Sequence, residues 1–98
     1  MSRIAPRVHT DATVIAALEA LAARLPDGEC VALTLDDGNV VRGVVSAVPT
    51  MQVFFDPAGT EGSNAVVRIE DPQDDSRDHY VWLDRISQIT RQDLPSTR

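Results

Sequence analysis

The stretch from Cys30 to Phe55, CVALTLDDGNVVRGVVSAVPTMQVFF, decides the fold class. In its first part Val31, Leu33 and Leu35 alternate with smaller or more polar residues, which is the period of a β-strand with one face on a core. The turn that follows places Gly38 among acidic and amide residues. Glycine tolerates the positive φ of tight hairpin turns, so the stretch predicts a β-hairpin.

A second strand, rich in β-branched residues, is predicted from Asn39 to Val48. Gly43 interrupts it, and a glycine inside a strand usually permits a bend or a close backbone approach, so we expect the sheet to bend there. Pro49 has no backbone N–H to donate and ends the strand. The chain is then expected to return through Met51–Phe55 as a third antiparallel strand beside the second.

This pattern resembles the first motif of the Sm and Hfq-type proteins, in which an acidic turn with glycine precedes a strand carrying glycine and spaced valines. The segment Tyr80–Ile89, YVWLDRISQI, is similar to the closing segment of that fold. The resemblance implies a mainly β protein with an N-terminal α-helix and a strongly bent five-stranded antiparallel small barrel, Sm-like or SH3-like. The whole chain also resembles a small bacterial family of unknown function with a variant Sm-like barrel.

The 98 residues fit a single domain. A helix is predicted over about residues 11–25, with Thr10 or Asp11 as its N-cap and with Pro26 and Gly28 after its end. Its apolar residues recur at helical spacing as Val14, Leu18, Leu21 and Leu25. The barrel is expected over about residues 29–91, followed by a flexible tail over residues 92–98.

The charge of the chain argues against two classes of partner. The net charge is −6, and the nine basic residues are all arginine. Phosphate neutralisation supplies most nucleic-acid affinity, so this balance disfavours RNA and DNA as general partners, and anionic membrane surfaces likewise. The apolar run near the N-terminus is bracketed by Asp11 and Glu19, which favours a helix over a secretory signal. A lone cysteine, Cys30, fits a reducing compartment, so a cytoplasmic location is expected.

Two segments after the third strand are predicted to be loops. Residues 56–63 contain the turn formers of a loop. A fourth strand is expected over Asn64–Glu70, and the acidic run Asp71–Asp78 is predicted to be a solvated loop. That run lacks the glycine and the downstream glutamate of a calcium loop.

No residue pattern predicts catalysis. His9 and His79 are far apart in sequence, and no cysteine or histidine pair has the spacing of metal ligands. The serines lack the context of an activated nucleophile. We therefore expect no catalytic residue, no metal and no cofactor, and a protein that is not an enzyme.

The resemblance to Sm proteins implies two RNA-binding positions, and both differ here. The first, an aspartate and an asparagine in the family, corresponds to Pro49 and Gln52. The second, Arg-Gly or Lys-His in the family, corresponds to Leu83 and Asp84, or to Trp82 and Leu83. An aspartate facing phosphates would be repelled, so the usual RNA pocket is not expected to function.

Two hypotheses follow. The first is a non-enzymatic Sm-like module that self-associates through the edge strands near residues 64–70 and 79–83, as a dimer or a ring, and binds a macromolecular partner, with protein favoured over RNA. The alternative is a sequence-tolerant RNA-binding protein with a local arginine patch and with Tyr80 and Trp82 available to stack on bases. The candidate contact residues are Gln52, Arg42, Arg68, Arg85, Arg91 and Trp82.

Overall fold

The structure is a computed structural model that describes residues 3–71 and 73–92, without the side chains of residues 75 and 76. Of the predicted tail over residues 92–98, residues 93–98 lie outside the described residues. The elements run in the order α1 (Ala12–Ala22), β1 (Cys30–Leu35), β2 (Val40–Val45), β3 (Gln52–Phe55), β4 (Glu61–Asn64), β5 (Val66–Asp71), β6 (Asp74–Trp82), a 3-10 turn (Leu83–Arg85) and β7 (Ile86–Arg91).

Helix α1 begins where the sequence predicts it. The Asp11 side chain accepts a 2.8 Å hydrogen bond from the Thr13 N–H and so satisfies one of the unpaired amides of the first turn. The helix is shorter than predicted, because the chain turns after Ala22 and Leu25 reaches the core from the following turn. The buried face of α1 thus covers one side of the β core.

Strands β1 and β2 form the predicted hairpin. Gly38 adopts a φ of +88°, and its N–H donates to the Leu35 carbonyl across the turn. Register pairs run from Thr34 opposite Val40 to Cys30 opposite Val44. The hairpin is the centre of a five-stranded antiparallel sheet with the order β6-β5-β2-β1-β7.

Strand β2 gains a second neighbour just after Gly43. It pairs with β1 along Val40–Val44, whereas β5 joins it only at Val44 and Val45. A Cβ atom on Gly43 would lie 2.6 Å from Cγ2 of Ile69 and closer still to the carbonyl oxygen of Glu70. The absence of a side chain at Gly43 therefore permits the close approach of β5.

The expectation that residues 51–55 pair with the second strand is wrong. Strand β3 pairs instead with β4 in a separate two-stranded sheet, so part of the predicted 56–63 loop is strand. The reason is local, because the Asp56 side chain accepts hydrogen bonds from the Ala58 and Thr60 N–H groups and folds the chain straight back. The place beside β2 is taken by β5.

The acidic run is also different from the prediction. Most of Asp71–Asp78 belongs to a hairpin in which Asp71 lies opposite Asp74 and β6 continues to Trp82. The Asp71 side chain accepts a hydrogen bond from Gln73 N–H at the turn. Strand β5 is therefore interior, and the prediction of an edge at residues 64–70 is wrong. The edges of the sheet are β6 and β7.

The core lies between α1 and the curved sheet. It is almost entirely aliphatic, and the side chains of its largest members are fully buried: Leu25, Leu33, Ile69, Leu83, Val31, Val45 and Val67. One polar side chain, Asn64, is equally buried. Such a core stabilises the domain, and the exceptional asparagine points to a polar site at its margin.

Candidate functional site

Three of the four candidate arginines form ion pairs. The Arg68 NH2 group lies 2.6 Å from Oδ2 of Asp78, and the Arg91 guanidinium contacts Glu29. Arg85 lies 2.9 Å from Oδ2 of Asp37 and also contacts Asp36. These guanidinium charges are compensated within the chain, which weakens their attraction for an external phosphate.

The pKa directions agree with that pairing. The hydrogen bond from Arg85 to Asp36, followed by the one to Asp37, raises the pKa of the Arg85 guanidinium. A hydrogen bond from the Asn39 N–H, and to a lesser extent Arg85, lowers the pKa of the Asp37 carboxyl. The hydrogen bond to Asp78 raises the pKa of Arg68 in the same way. Arg68, Arg85 and Asp37 are therefore charged at neutral pH.

The fourth arginine, Arg42, is exposed on β2 opposite Ala32. Within residues 3–71 and 73–92 it takes part in no ion pair. The four arginines lie on β2, β5, the 3-10 turn and β7, so the sequence places them on four separate elements rather than on one continuous strand or helix face.

The remaining candidates lie at the β3–β4 sheet. Gln52 begins β3 and accepts a hydrogen bond from Arg3. Trp82 packs edge-to-face on Phe54, with ring centroids 5.1 Å apart and planes at 80°. Pro49 is buried. The Trp82 ring is thus in contact with a ring of its own chain, whereas Tyr80 is 67% exposed.

A polar cluster that the sequence did not predict surrounds Asp84. Its side chain is only 6% exposed, and Oδ2 lies 2.9 Å from His9 Nε2 and 3.4 Å from Arg7 Nε. The Asn64 amide donates to the same oxygen at 3.1 Å and to the Arg7 carbonyl at 2.9 Å. We call these four residues the Asp84 cluster. The carboxylate therefore lies against the Arg7 guanidinium, the His9 ring and the Asn64 amide of its own chain, and its effect on RNA stays a prediction.

The Asp84 cluster holds the N-terminal segment, residues 3–9, against the β3–β4 sheet. His9 and Ser63 exchange two backbone hydrogen bonds of 2.9 and 2.8 Å. A Cβ on Gly62 would lie 2.9 Å from the side chain of Val8, so glycine permits this close approach. Sequence reasoning missed the segment because residues 3–9 carry no strand pattern; the buried asparagine is visible only once the fold is known.

In the Asp84 cluster a histidine lies beside a largely buried carboxylate. His9 and Asp84 are arranged like the base and orienting acid of a triad, but among the described residues no hydroxyl or thiol hydrogen-bonds the His9 ring. The described side chains also include no group of three or more histidine, cysteine, aspartate or glutamate residues able to hold a metal ion. The cluster is best suited to fixing the N-terminal segment.

A groove of about 410 Å³ runs beside β6, and we call it the edge groove. Its lining includes the five consecutive residues Asp78–Trp82. Leu35 and Val41 of the β1–β2 hairpin and Arg85 complete the lining. The groove is therefore bordered by β6, an outer strand of the five-stranded sheet.

The model of the family described as Domain of unknown function (DUF3247) matches residues 2–92. The chain belongs to this family. A protein from Xanthomonas campestris is 34% identical in sequence to this DUF3247 protein, and its crystal structure is described as adopting a novel variant of Sm-like motif. The two structures match with a TM-score of 0.88 over 95% of this chain and 100% of the other. The fold is therefore a variant Sm-like fold, as its motifs predicted.

No curated protein matches this DUF3247 chain. The part of the chain that the structure describes has no helix of the length and apolar character needed to cross a membrane.

Proposed function

We propose that this DUF3247 protein is a non-enzymatic Sm-like module that self-associates and binds other protein chains through the outer edge of β6. The observation that carries the proposal is a nine-residue edge strand with the edge groove beside it. Edge strands present unpaired N–H and C=O groups, and proteins either protect such groups or use them for association. Its proposed setting is the cytoplasm, since a lone cysteine fits a reducing compartment.

Charge favours pairing between unlike edges. Strand β6 carries three aspartates and one arginine, whereas β7 carries a single charged residue, Arg91. Two copies of β6 would bring like charges together, which costs free energy in cross-strand pairs. Pairing of β6 with β7 of another copy avoids this repulsion, because β7 carries no carboxylate, so self-association is proposed to be head-to-tail.

RNA binding is the second candidate function, through an arginine patch with Tyr80 stacking on a base. In its favour, the Tyr80 ring is exposed and Arg42 forms no ion pair among the described residues. Against it stand the net charge of −6 and the carboxylate partners of Arg68, Arg85 and Arg91. Protein chains are therefore the preferred partners.

Sedimentation of the purified protein with a labelled short single-stranded RNA, at low and near-physiological salt, tests both functions. We expect a defined oligomer with the RNA remaining free. RNA that co-sediments and dissociates as salt rises would instead support the RNA function, because phosphate contacts are salt-dependent. A monomer at every protein concentration would contradict self-association.

The variant Tyr80→Lys tests whether the β6 edge is the site of association. Lysine on an edge strand opposes strand pairing, and interface tyrosines often contribute strongly to binding. We expect the dissociation constant of the oligomer to rise about tenfold or more, which corresponds to about 1.4 kcal/mol. Val53→Lys is the matched control, because Val53 is also an exposed strand residue, 50% accessible, but lies on β3. Equal effects of the two variants would place the interface elsewhere.

A further inference from the structure

A cavity of about 240 Å³ lies against β7, the outer strand opposite β6. It is lined by Ala23, Arg24 and Pro26, which follow α1, and by Ile89 and Arg91 of β7. Alternate residues of a strand share one face, so the cavity lies over the face of β7 that carries Ile89 and Arg91. We call it the β7 cavity. It thus adjoins the strand that the proposed function pairs with β6 of another copy.

Both charged residues that line the β7 cavity are arginines. Arg24 is exposed and takes part in no ion pair among the residues that the structure describes. Arg91 is paired with Glu29, although its side chain is 70% exposed. The uncompensated positive charge of the cavity therefore belongs to Arg24, and a guanidinium forms its strongest hydrogen bonds with carboxylates. The cavity is suited to an acidic segment.

The hairpin formed by β5 and β6 carries such a segment. Residues 71–78 contain four aspartates and one arginine. The Asp71 side chain accepts a hydrogen bond from the Gln73 N–H, but within the described part of the chain it takes part in no ion pair. We call residues 71–74 the acidic hairpin end. It brings negative charge to the point where β6 begins.

Strand direction decides whether the acidic hairpin end reaches the β7 cavity of another copy. In an antiparallel pair, the start of β6 lies beside or beyond Arg91, at the end of β7 that borders the cavity. In a parallel pair it lies beside Ile86, at the opposite end. Antiparallel pairing is also slightly more stable per residue and continues the alternation of the sheet. With nine residues against the six of β7, β6 is long enough to extend past the end of its partner.

We propose that β6 and β7 of neighbouring copies pair in antiparallel directions and that the acidic hairpin end of one copy occupies the β7 cavity of the next. This proposal rests on the proposed function and specifies the contact by which the copies recognise each other. The Asp71 carboxylate lies near the Arg24 guanidinium of the neighbour. A pair of two β6 strands, or a parallel pair of β6 and β7, would leave Arg24 without this partner.

The β7 cavity is less suited to a nucleic acid. Affinity for a phosphate backbone depends on several cationic contacts, whereas Arg24 is the single uncompensated cation in the cavity lining. The chain as a whole, with a net charge of −6, repels phosphates. The acidic hairpin end carries negative charge too, but strand pairing holds it beside the cavity and so raises its effective concentration there.

The variant Arg24→Glu tests the contact without altering either paired strand, since Arg24 lies outside the sheet. Glutamate there would repel the acidic hairpin end. We expect the dissociation constant of the oligomer, measured by sedimentation, to rise about tenfold or more. Arg42→Glu is the matched control. Arg42 is also exposed and forms no ion pair among the described residues, but it lies on β2.

The control changes the net charge by the same amount, so it accounts for general repulsion between copies. It should leave the dissociation constant within about threefold of that of the unaltered protein. The difference between the two variants should decrease as salt rises, because the contact lies at an exposed site.

An exchange of charges identifies the partner of Arg24. Asp71→Arg alone should also weaken the oligomer. Combined with Arg24→Glu, it should return the dissociation constant to within about threefold of the original, because each copy again presents opposite charges to its neighbour. Asp71→Arg combined with Arg42→Glu gives the same net charge and should not restore association.

Each outcome supports or overturns the proposal. Equal effects of Arg24→Glu and Arg42→Glu overturn it, and this comparison holds even where Asp71→Arg alters the hairpin. A folded double variant of Arg24→Glu and Asp71→Arg that stays dissociated also overturns it. Dissociation by Tyr80→Lys but not by Arg24→Glu overturns the hairpin contact and leaves the proposed function standing. A protein that is monomeric at every concentration contradicts both.

Discussion

Gly43→Ala is expected to lower the free energy of unfolding by about 2–3 kcal/mol, a large part of the stability of a small domain. The added methyl carbon would meet the Glu70 backbone and the Ile69 side chain. A backbone carbonyl cannot rotate away as a side chain can, so β5 must move from β2. Chemical denaturation followed by circular dichroism measures the change.

Gly59→Ala is the control for this prediction. Gly59 has a φ of +89°, and no atom lies within 4 Å of the place that an added methyl carbon would take, so its substitution carries a conformational cost without a collision. That cost is about 1 kcal/mol. A loss at Gly43 no larger than the loss at Gly59 would show that β5 does not depend on the missing side chain.

Asp84→Ala is expected to destabilise the protein by about 2–4 kcal/mol and to release the N-terminal segment. The substitution removes the oxygen that His9, Arg7 and Asn64 share and leaves the buried Asn64 amide with one partner fewer. Denaturation gives the stability, and trypsin gives the state of the segment, because cleavage after Arg7 needs an extended, accessible chain. A loss of about 1.4 kcal/mol in docking raises the open population tenfold.

Asp36→Ala is the matched control, since Asp36 also contacts Arg7 but its side chain is 47% exposed. Exposed ion pairs contribute less than about 1 kcal/mol, so its stability and its tryptic cleavage should stay close to those of the unaltered protein. If the two variants lose the same stability and are cleaved at the same rate, the Asp84 cluster does not hold the N-terminal segment.

Elements fixed by neighbouring residues could be predicted from the sequence. The cap at Asp11 and the turn at Gly38 depend on side chains and φ values within a few residues, and both are present in the structure. Gly43 within β2 likewise indicated a bend or a close backbone approach, although the approaching strand, β5, could not be named from the sequence. Such elements can be predicted because the residues that determine them lie in the same short stretch of sequence as the conformations that they favour.

Features that join distant segments could not be predicted in this way. The β-rich run ending at Phe55 does not by itself specify a partner strand, and the turn at Asp56 places it beside β4. The edge groove needs the positions of β1, β2 and β6 together. The motif position of Asp84 was recognised, but its burial depends on His9, which is 75 residues away in the chain.

That separation has a consequence for the order of folding. Residues 3–9 are synthesised well before their partners Phe55, Ser63 and Asp84. Closing so long a loop is entropically costly, so we expect the segment to dock after the barrel has formed. Substitutions at His9 should then accelerate unfolding and leave the refolding rate nearly unchanged, which stopped-flow measurements can distinguish from early docking. We thus expect a segment that is synthesised before its partners to dock only after they have folded.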